Sequence, residues 1–158
     1  MNTPPIPRVA RRVALATAAG TTALALSGCG IIQELAGGGG DDVFDLQVGD
    51  CLADTIGTEV SSVETLDCNE PHYYEVYSSI IMEDGAFPGD SAVSTTAEDE
   101  CVADFESFIG VEYAYSEIWM ESLRPTQETW DNMDDREILC MVYDPDGDTI
   151  GTLANANR

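Results

Sequence analysis

The side chains able to do chemistry here are one histidine, His72, five cysteines and thirty carboxylates. To act as a general base, His72 would need a nucleophile and an orienting carboxylate within hydrogen-bond reach. The chain contains no Gly-x-Ser-x-Gly or comparable nucleophile motif. In Cys68-Asn69-Glu70-Pro71-His72 the imidazole sits where a strand begins, beside an expected disulfide. It therefore reads as structural, hydrogen-bonded to a loop carbonyl or to a carboxylate such as Glu75. The alternative is a ligand or partner surface around His72, Tyr73 and Tyr74. Asp144, Asp146 and Asp148 have the spacing that opens an EF-hand loop. However, Thr149 stands where the invariant glycine belongs and Asn155 where the bidentate glutamate belongs. A solvated turn is expected there, with adventitious calcium at this cluster or at Asp131, Asp134 and Asp135 as the alternative. No metal, cofactor or catalytic residue is expected.

The cysteines divide by position. Residues 1–12 carry Arg8, Arg11 and Arg12, and residues 13–28 form an uncharged Ala, Leu, Val, Thr and Gly run, which is the layout of a signal peptide. That run is shorter than the roughly 20 residues a spanning helix needs. It ends in Leu26-Ser27-Gly28-Cys29, which resembles the bacterial lipobox, whose cysteine sulfur receives a diacylglyceryl group. We expect residues 1–28 to be removed after export by the general secretory route, and Cys29 to be lipidated, since two acyl chains suffice for stable anchoring. Residues 29–42, with Gly37 to Gly40, form a flexible tether that lets a domain at 43–158 ride roughly 20 Å from its anchor. The expected location is the extracellular face of the cell membrane.

With Cys29 consumed, Cys51, Cys68, Cys101 and Cys140 remain in an oxidising compartment, enough for two disulfides. The absence of any Cys-x-x-Cys pair removes support for a thioredoxin-like or zinc role. Charge narrows the partners further. Beyond Cys29 the chain has three arginines, no lysine and all thirty acids, so the net charge is 3 − 30 = −27. Such a field repels nucleic acid and anionic headgroups, which are bound through clustered Lys and Arg. It also destabilises a compact state by self-repulsion, which the disulfides would offset by roughly 3 to 4 kcal/mol each.

The elements that must position these groups follow from periodicity. Strands are expected around Leu46 to Leu52, Val60 to Leu66 and His72 to Met82. In the last, Tyr74, Val76, Ile80 and Met82 alternate onto one face, with Ser78 between them. From Ser91 to Ile109, Val93, Ala97, Cys101, Phe105, Phe108 and Ile109 recur every three or four residues, which predicts an amphipathic helix begun near Asp90 and stopped by Gly110. Further strands are expected at Glu117 to Leu123, Arg136 to Tyr143 and Thr149 to Leu153. The last two should form a hairpin about Pro145-Asp146-Gly147-Asp148, and a short helix at Pro125 to Trp130 should begin on its proline. Cys101 lies on the helix's apolar stripe, and Cys140 shares a strand face with Ile138 and Val142. These two should pair, leaving Cys51 to pair with Cys68 by elimination. The fold class is α+β: a small antiparallel sheet with one main amphipathic helix packed on it and two disulfides. Trp119 and Trp130 are read as buried anchors of the core, with exposed partner contacts as the alternative.

From Val43 onward the chain resembles the actinobacterial septum formation-related domain family. The likeness is carried by residues 43–52 (VFDLQVGDCL), Asp67 to His72 with Glu75-Val76, Phe87-Pro88-Gly89, Cys101, Tyr113, Pro125-Thr126 with Trp130, and Asp135-Arg136-Glu137 leading to Cys140. The resemblance implies a tethered extracellular module associated with cell division, with no catalytic residues to carry over. Together these readings predict a monomeric, non-enzymatic binding or scaffold module that meets an envelope or division protein. The alternative is a calcium- or peptidoglycan-linked enzyme or accessory that uses surface carboxylates.

Overall fold

The computed structural model describes residues 41–54 and 62–158. The expected signal peptide, Cys29 and all but the last two residues of the expected tether lie outside the described residues. In chain order the elements are β1 (Asp41–Asp42), β2 (Cys51–Leu52), β3 (Ser62–Val63), β4 (Thr65–Leu66), β5 (Tyr74–Ile81), α1 (Asp90–Ile109), β6 (Trp119–Leu123), α2 (Gln127–Met133) and β7 (Glu137–Tyr143). Five strands form one sheet in the order β4-β2-β5-β7-β6, every neighbour antiparallel, while β1 and β3 pair separately. The fold is the expected α+β arrangement.

Helix α1 forms as its pattern predicts. Val93, Ala97, Cys101, Phe105 and Ile109 are its buried residues, and Gly110 ends it in the left-handed conformation at φ 95°, its N–H bonded to the Glu106 carbonyl. These five side chains pack with Tyr77, Ile118, Ile138, Cys140, Val142 and Leu153 into the main core between helix and sheet. Cys101 and Cys140 are bonded there, and Cys51 is bonded to Cys68 across the β2–β4 ribbon. A Cβ at Gly110 would lie 2.6 Å from the Asn157 Oδ1 atom, a clash added to an unfavourable φ. Gly110→Ala should therefore cost roughly 1–2 kcal/mol or more in urea unfolding, and an unchanged midpoint would contradict this account of the helix stop.

The second side of the sheet carries a smaller cluster of Leu46, Leu52, Val63, Val76, Leu139 and Met141. Its existence corrects the simple alternation expected of β5. Val76 pairs with Met141 but Ser78 with Cys140, so Tyr77 is an extra residue, a β-bulge. The bulge inverts the phase. Tyr74 and Val76 join the smaller cluster, whereas Tyr77, Ile80 and Met82 face α1. The Tyr77 hydroxyl, thus turned inward, donates to the Cys101 carbonyl at 2.7 Å.

Three other expectations are corrected. The first strand shrinks to Cys51–Leu52. Ahead of it Asp42 caps a 3-10 turn at Val43–Asp45, and the Asp50 carboxylate accepts from the Gln47 N–H at 2.8 Å to close a second turn. Short acidic side chains that bond nearby N–H groups divert backbone from strand pairing. Helix α2 begins after Pro125, on a capping box in which Thr126 and Thr129 satisfy each other's N–H groups. No hairpin strand forms at Thr149 to Leu153. Thr149 instead makes a single bridge to His72, the Gly151 N–H donates to the Cys68 carbonyl at 2.6 Å, and the Leu153 N–H donates to the Glu75 carboxylate at 2.7 Å.

Candidate functional site

His72 is 1 % exposed, so it is part of the interior and not of a contact surface. Its Nδ1 lies 2.9 Å from the Glu70 carbonyl oxygen, a pairing that makes Nδ1 the protonated nitrogen, while Nε2 has no hydrogen-bond partner among the described residues. Buried Cys51 and Glu75 approach the imidazole, with ligand atoms within 4.8 Å of one another. The Cys51 sulfur is bonded to Cys68, so the trio lacks the thiolate that a soft metal ion would require. Glu75 is occupied by the C-terminal segment, accepting from the Thr152 hydroxyl at 2.5 Å and from the Leu153 N–H. At the aspartate turn, Asp144 accepts from the Asp146 N–H at 2.9 Å and from the Arg158 guanidinium at 2.5 Å. Those bonds hold its carboxyl below the usual range, the arginine being the largest cause.

Tyr73 and Tyr74 belong to a different constellation. Tyr73 immediately precedes β5 and Tyr74 begins it, Tyr143 ends the neighbouring β7, and Trp119 begins β6 directly opposite Tyr143. Tyr73 stacks on Tyr143 with ring centroids 5.3 Å apart, Tyr74 meets both tyrosines edge-on at 4.8 and 5.4 Å, and Trp119 meets Tyr143 edge-on at 6.2 Å. These separations are those of mutually stabilising aromatic pairs. The cluster occupies the side of the sheet away from α1, where Tyr73, Tyr74 and Tyr143 are half-buried and Trp119 remains 53 % exposed. Of the two tryptophans expected in the core, only Trp130 is buried. It packs edge-on to Phe87, donates to the Gly85 carbonyl at 2.8 Å and carries Arg136 over its ring at 4.0 Å. Trp119 differs because it lies on the side of the sheet away from α1.

Negative charge rims the aromatic cluster. Burial is the largest cause pushing the Tyr74 hydroxyl up to about 12, followed by the neighbouring Tyr73 and Tyr143 and by the carboxylates of Asp54 and Glu121. Tyr143 is raised by burial first, then by Tyr73 and Glu121, and Tyr77 in the main core is raised further, mostly by burial. A phenol whose folded pKa is raised releases its proton more readily when the chain unfolds. Its contribution to stability is whole below the unfolded value of about 10 and is lost as pH rises through the folded value. Stability should therefore fall between about pH 10 and 12, with part of the 295 nm phenolate absorbance appearing only on unfolding. A single titration of all six tyrosines near pH 10 would contradict this.

Exposed aromatic rings set among carboxylates can take planar or cationic groups by stacking and cation–π attraction. Tyr143 was not legible as a member of such a site, and Trp119 only through the alternative of an exposed partner contact, because only the β6–β7 register brings them together. The alternation of Leu139, Met141 and Tyr143 was the available signal. Residues 48–157, which is 110 of 158, match a family model described as septum formation. The chain belongs to the septum formation family. The matched span of this septum formation domain takes in both disulfides, His72 and all four aromatic residues. No curated protein and no solved structure is similar enough to match the chain. Among the described residues no helix is long and apolar enough to cross a membrane.

Proposed function

We propose that this chain is a lipoprotein anchored through Cys29, whose septum formation domain is a non-enzymatic binding module at the outer face of the cell membrane. Its partner in this reading is an envelope or division protein. The observation that carries the binding role is the aromatic surface in which the half-buried Tyr73, Tyr74 and Tyr143 back the exposed Trp119, because exposed apolar patches mark contact sites and aromatic anchors dominate them. The leader, the lipobox Leu26-Ser27-Gly28-Cys29 and the two disulfides support the location.

The test is capture of envelope proteins by the lipidated chain from solubilised membranes, compared with a Trp119→Ala, Tyr143→Ala variant. The wild type should enrich a specific partner and the variant should lose it by at least tenfold, as expected when aromatic anchors costing about 2 kcal/mol each are removed. Turnover of an envelope substrate abolished by His72→Ala would sink the reading, as would partner capture indifferent to the two aromatic substitutions.

A further inference from the structure

The aromatic surface ends at a strand edge. β6 is the last strand of the five-stranded sheet, so its outer side carries no neighbour among the described residues. In an antiparallel ladder alternate residues turn their N–H and C=O groups toward the same side. The Ser122 N–H is taken at 3.0 Å by the Glu121 carboxylate, which places it on the free side, and Met120 has the same parity. A charged side chain folded over an edge N–H is a usual guard against unwanted strand pairing. Here the guard is one carboxylate that a cation can draw away.

Beside this edge, on the α1 side, lies a cleft of about 170 Å³ lined by Ser94, Ala97, Glu98 and Cys101 of α1, by residues 120–122 of β6, Glu121 among them, and by Arg124. That is below the roughly 300 Å³ at which small-molecule sites begin, and its apolar lining, Ala97, Cys101 and Met120, offers room for a single aliphatic side chain. On the opposite side of the same strand stands Trp119, paired with Tyr143. Successive side chains of an added strand point to opposite faces of the sheet. One would enter the cleft and the next would pass over the Trp119 ring beside Glu121.

We infer that the free edge of β6 accepts an extended segment of a partner polypeptide as a sixth strand. Its aliphatic side chains alternate with lysine or arginine, the aliphatic one filling the cleft against α1 and the basic one lying over Trp119. The basic residue draws the Glu121 carboxylate away, and the freed Ser122 N–H then donates to a carbonyl of the segment. Charge fixes the occupant's chemistry, because three arginines face thirty carboxylates beyond Cys29, and strand addition at an edge beside a helix is an established way of holding peptides. This inference rests on the binding-module reading and specifies its partner.

The experiment titrates the full chain with an acetylated, amidated heptapeptide of alternating lysine and valine, and with its glutamate-for-lysine counterpart, following tryptophan fluorescence and amide hydrogen exchange. The lysine peptide should bind saturably and slow exchange at Met120 and Ser122, and the glutamate peptide should bind at least tenfold more weakly. Ser122→Pro removes one outward N–H at an edge where proline is tolerated, and it should weaken the lysine peptide at least tenfold. Should that variant fail to fold, Glu121→Gln serves instead, with the lysine-over-glutamate preference expected to shrink severalfold. Wild-type affinity in Ser122→Pro, an undiminished preference in Glu121→Gln, or binding that protects no β6 amide would overturn the edge-strand inference. If the chain still captures an envelope partner through Trp119 and Tyr143, only the inference falls; if capture is also absent, the binding-module reading falls with it.

Discussion

Replacing Cys101 and Cys140 together by alanine should lower the unfolding free energy by about 4 kcal/mol. The two cysteines are 39 residues apart, and the chain-entropy model for a loop of that length gives about this much. Both residues are essentially inaccessible, at 1 % and 0 % exposed, and they sit at the contact of α1 with β7, a strand paired on both sides. Alanine at both positions therefore also leaves unfilled volume in the main core. The same substitutions at Cys51 and Cys68, 17 residues apart, should cost about 3 kcal/mol on the same model. The order matters more than either value. Equilibrium urea unfolding of the two double variants gives it directly, and a larger loss from the Cys51–Cys68 pair would refute the loop-length argument. The bond also opposes a particular strain of this chain. α1 carries Asp90, Glu98, Asp99, Glu100, Asp104 and Glu106 with no basic residue, and the last two lie toward its C-terminus, where negative charge is unfavourable. Raised salt should screen that repulsion.

What could be read from the sequence follows how local its cause is. α1 was legible because burial every three or four residues and a stopping glycine act within one segment. The Cys101–Cys140 pair was legible because two faces each had a single inward direction. Tyr77 was not, since a bulge is a decision of two strands together, and nothing in the Tyr74 to Ile81 pattern alone marks where a ladder skips a residue. The phase error that followed hid the aromatic surface. With Tyr74 assigned to the same face as Ile80 and Met82 it would lie beneath the helix, whereas the bulge leaves it on the open side with Tyr143. Trp119 was weighed by residue type, which favours the core; its exposure follows from its place on the side of the sheet away from α1. The turn at Gln47 to Asp50 was lost for a different reason, in that its apolar and polar alternation fits a strand while Asp42 and Asp50 offer the backbone competing acceptors.

The C-terminal segment follows the same logic and yields the second large effect. Thr149 to Leu153 has strand-like residues, yet a strand needs a partner edge, and the segment instead crosses to His72, Cys68 and Glu75. Glu75 is 4 % exposed and gives one oxygen to the Thr152 hydroxyl and the other to the Leu153 N–H. Leu153 in turn packs into the main core. Glu75→Ala should cost roughly 3 kcal/mol or more, because two hydrogen bonds to the carboxylate are lost and the buried Leu153 N–H is left without an acceptor. Glu75→Gln keeps one carbonyl acceptor but turns an amide donor toward a second donor, so it should recover only part of the loss. Hydrogen exchange separates the local from the global part. In Glu75→Ala the Leu153 and Gly151 amides should exchange faster by more than the fall in global stability explains, while the Phe105 and Ile109 amides of α1 track the global change alone. Uniform acceleration across the domain would mean that the segment is held by its own packing and not by Glu75. In that case the strand expected at Thr149 to Leu153 failed for want of an edge, and not because a buried carboxylate captured it.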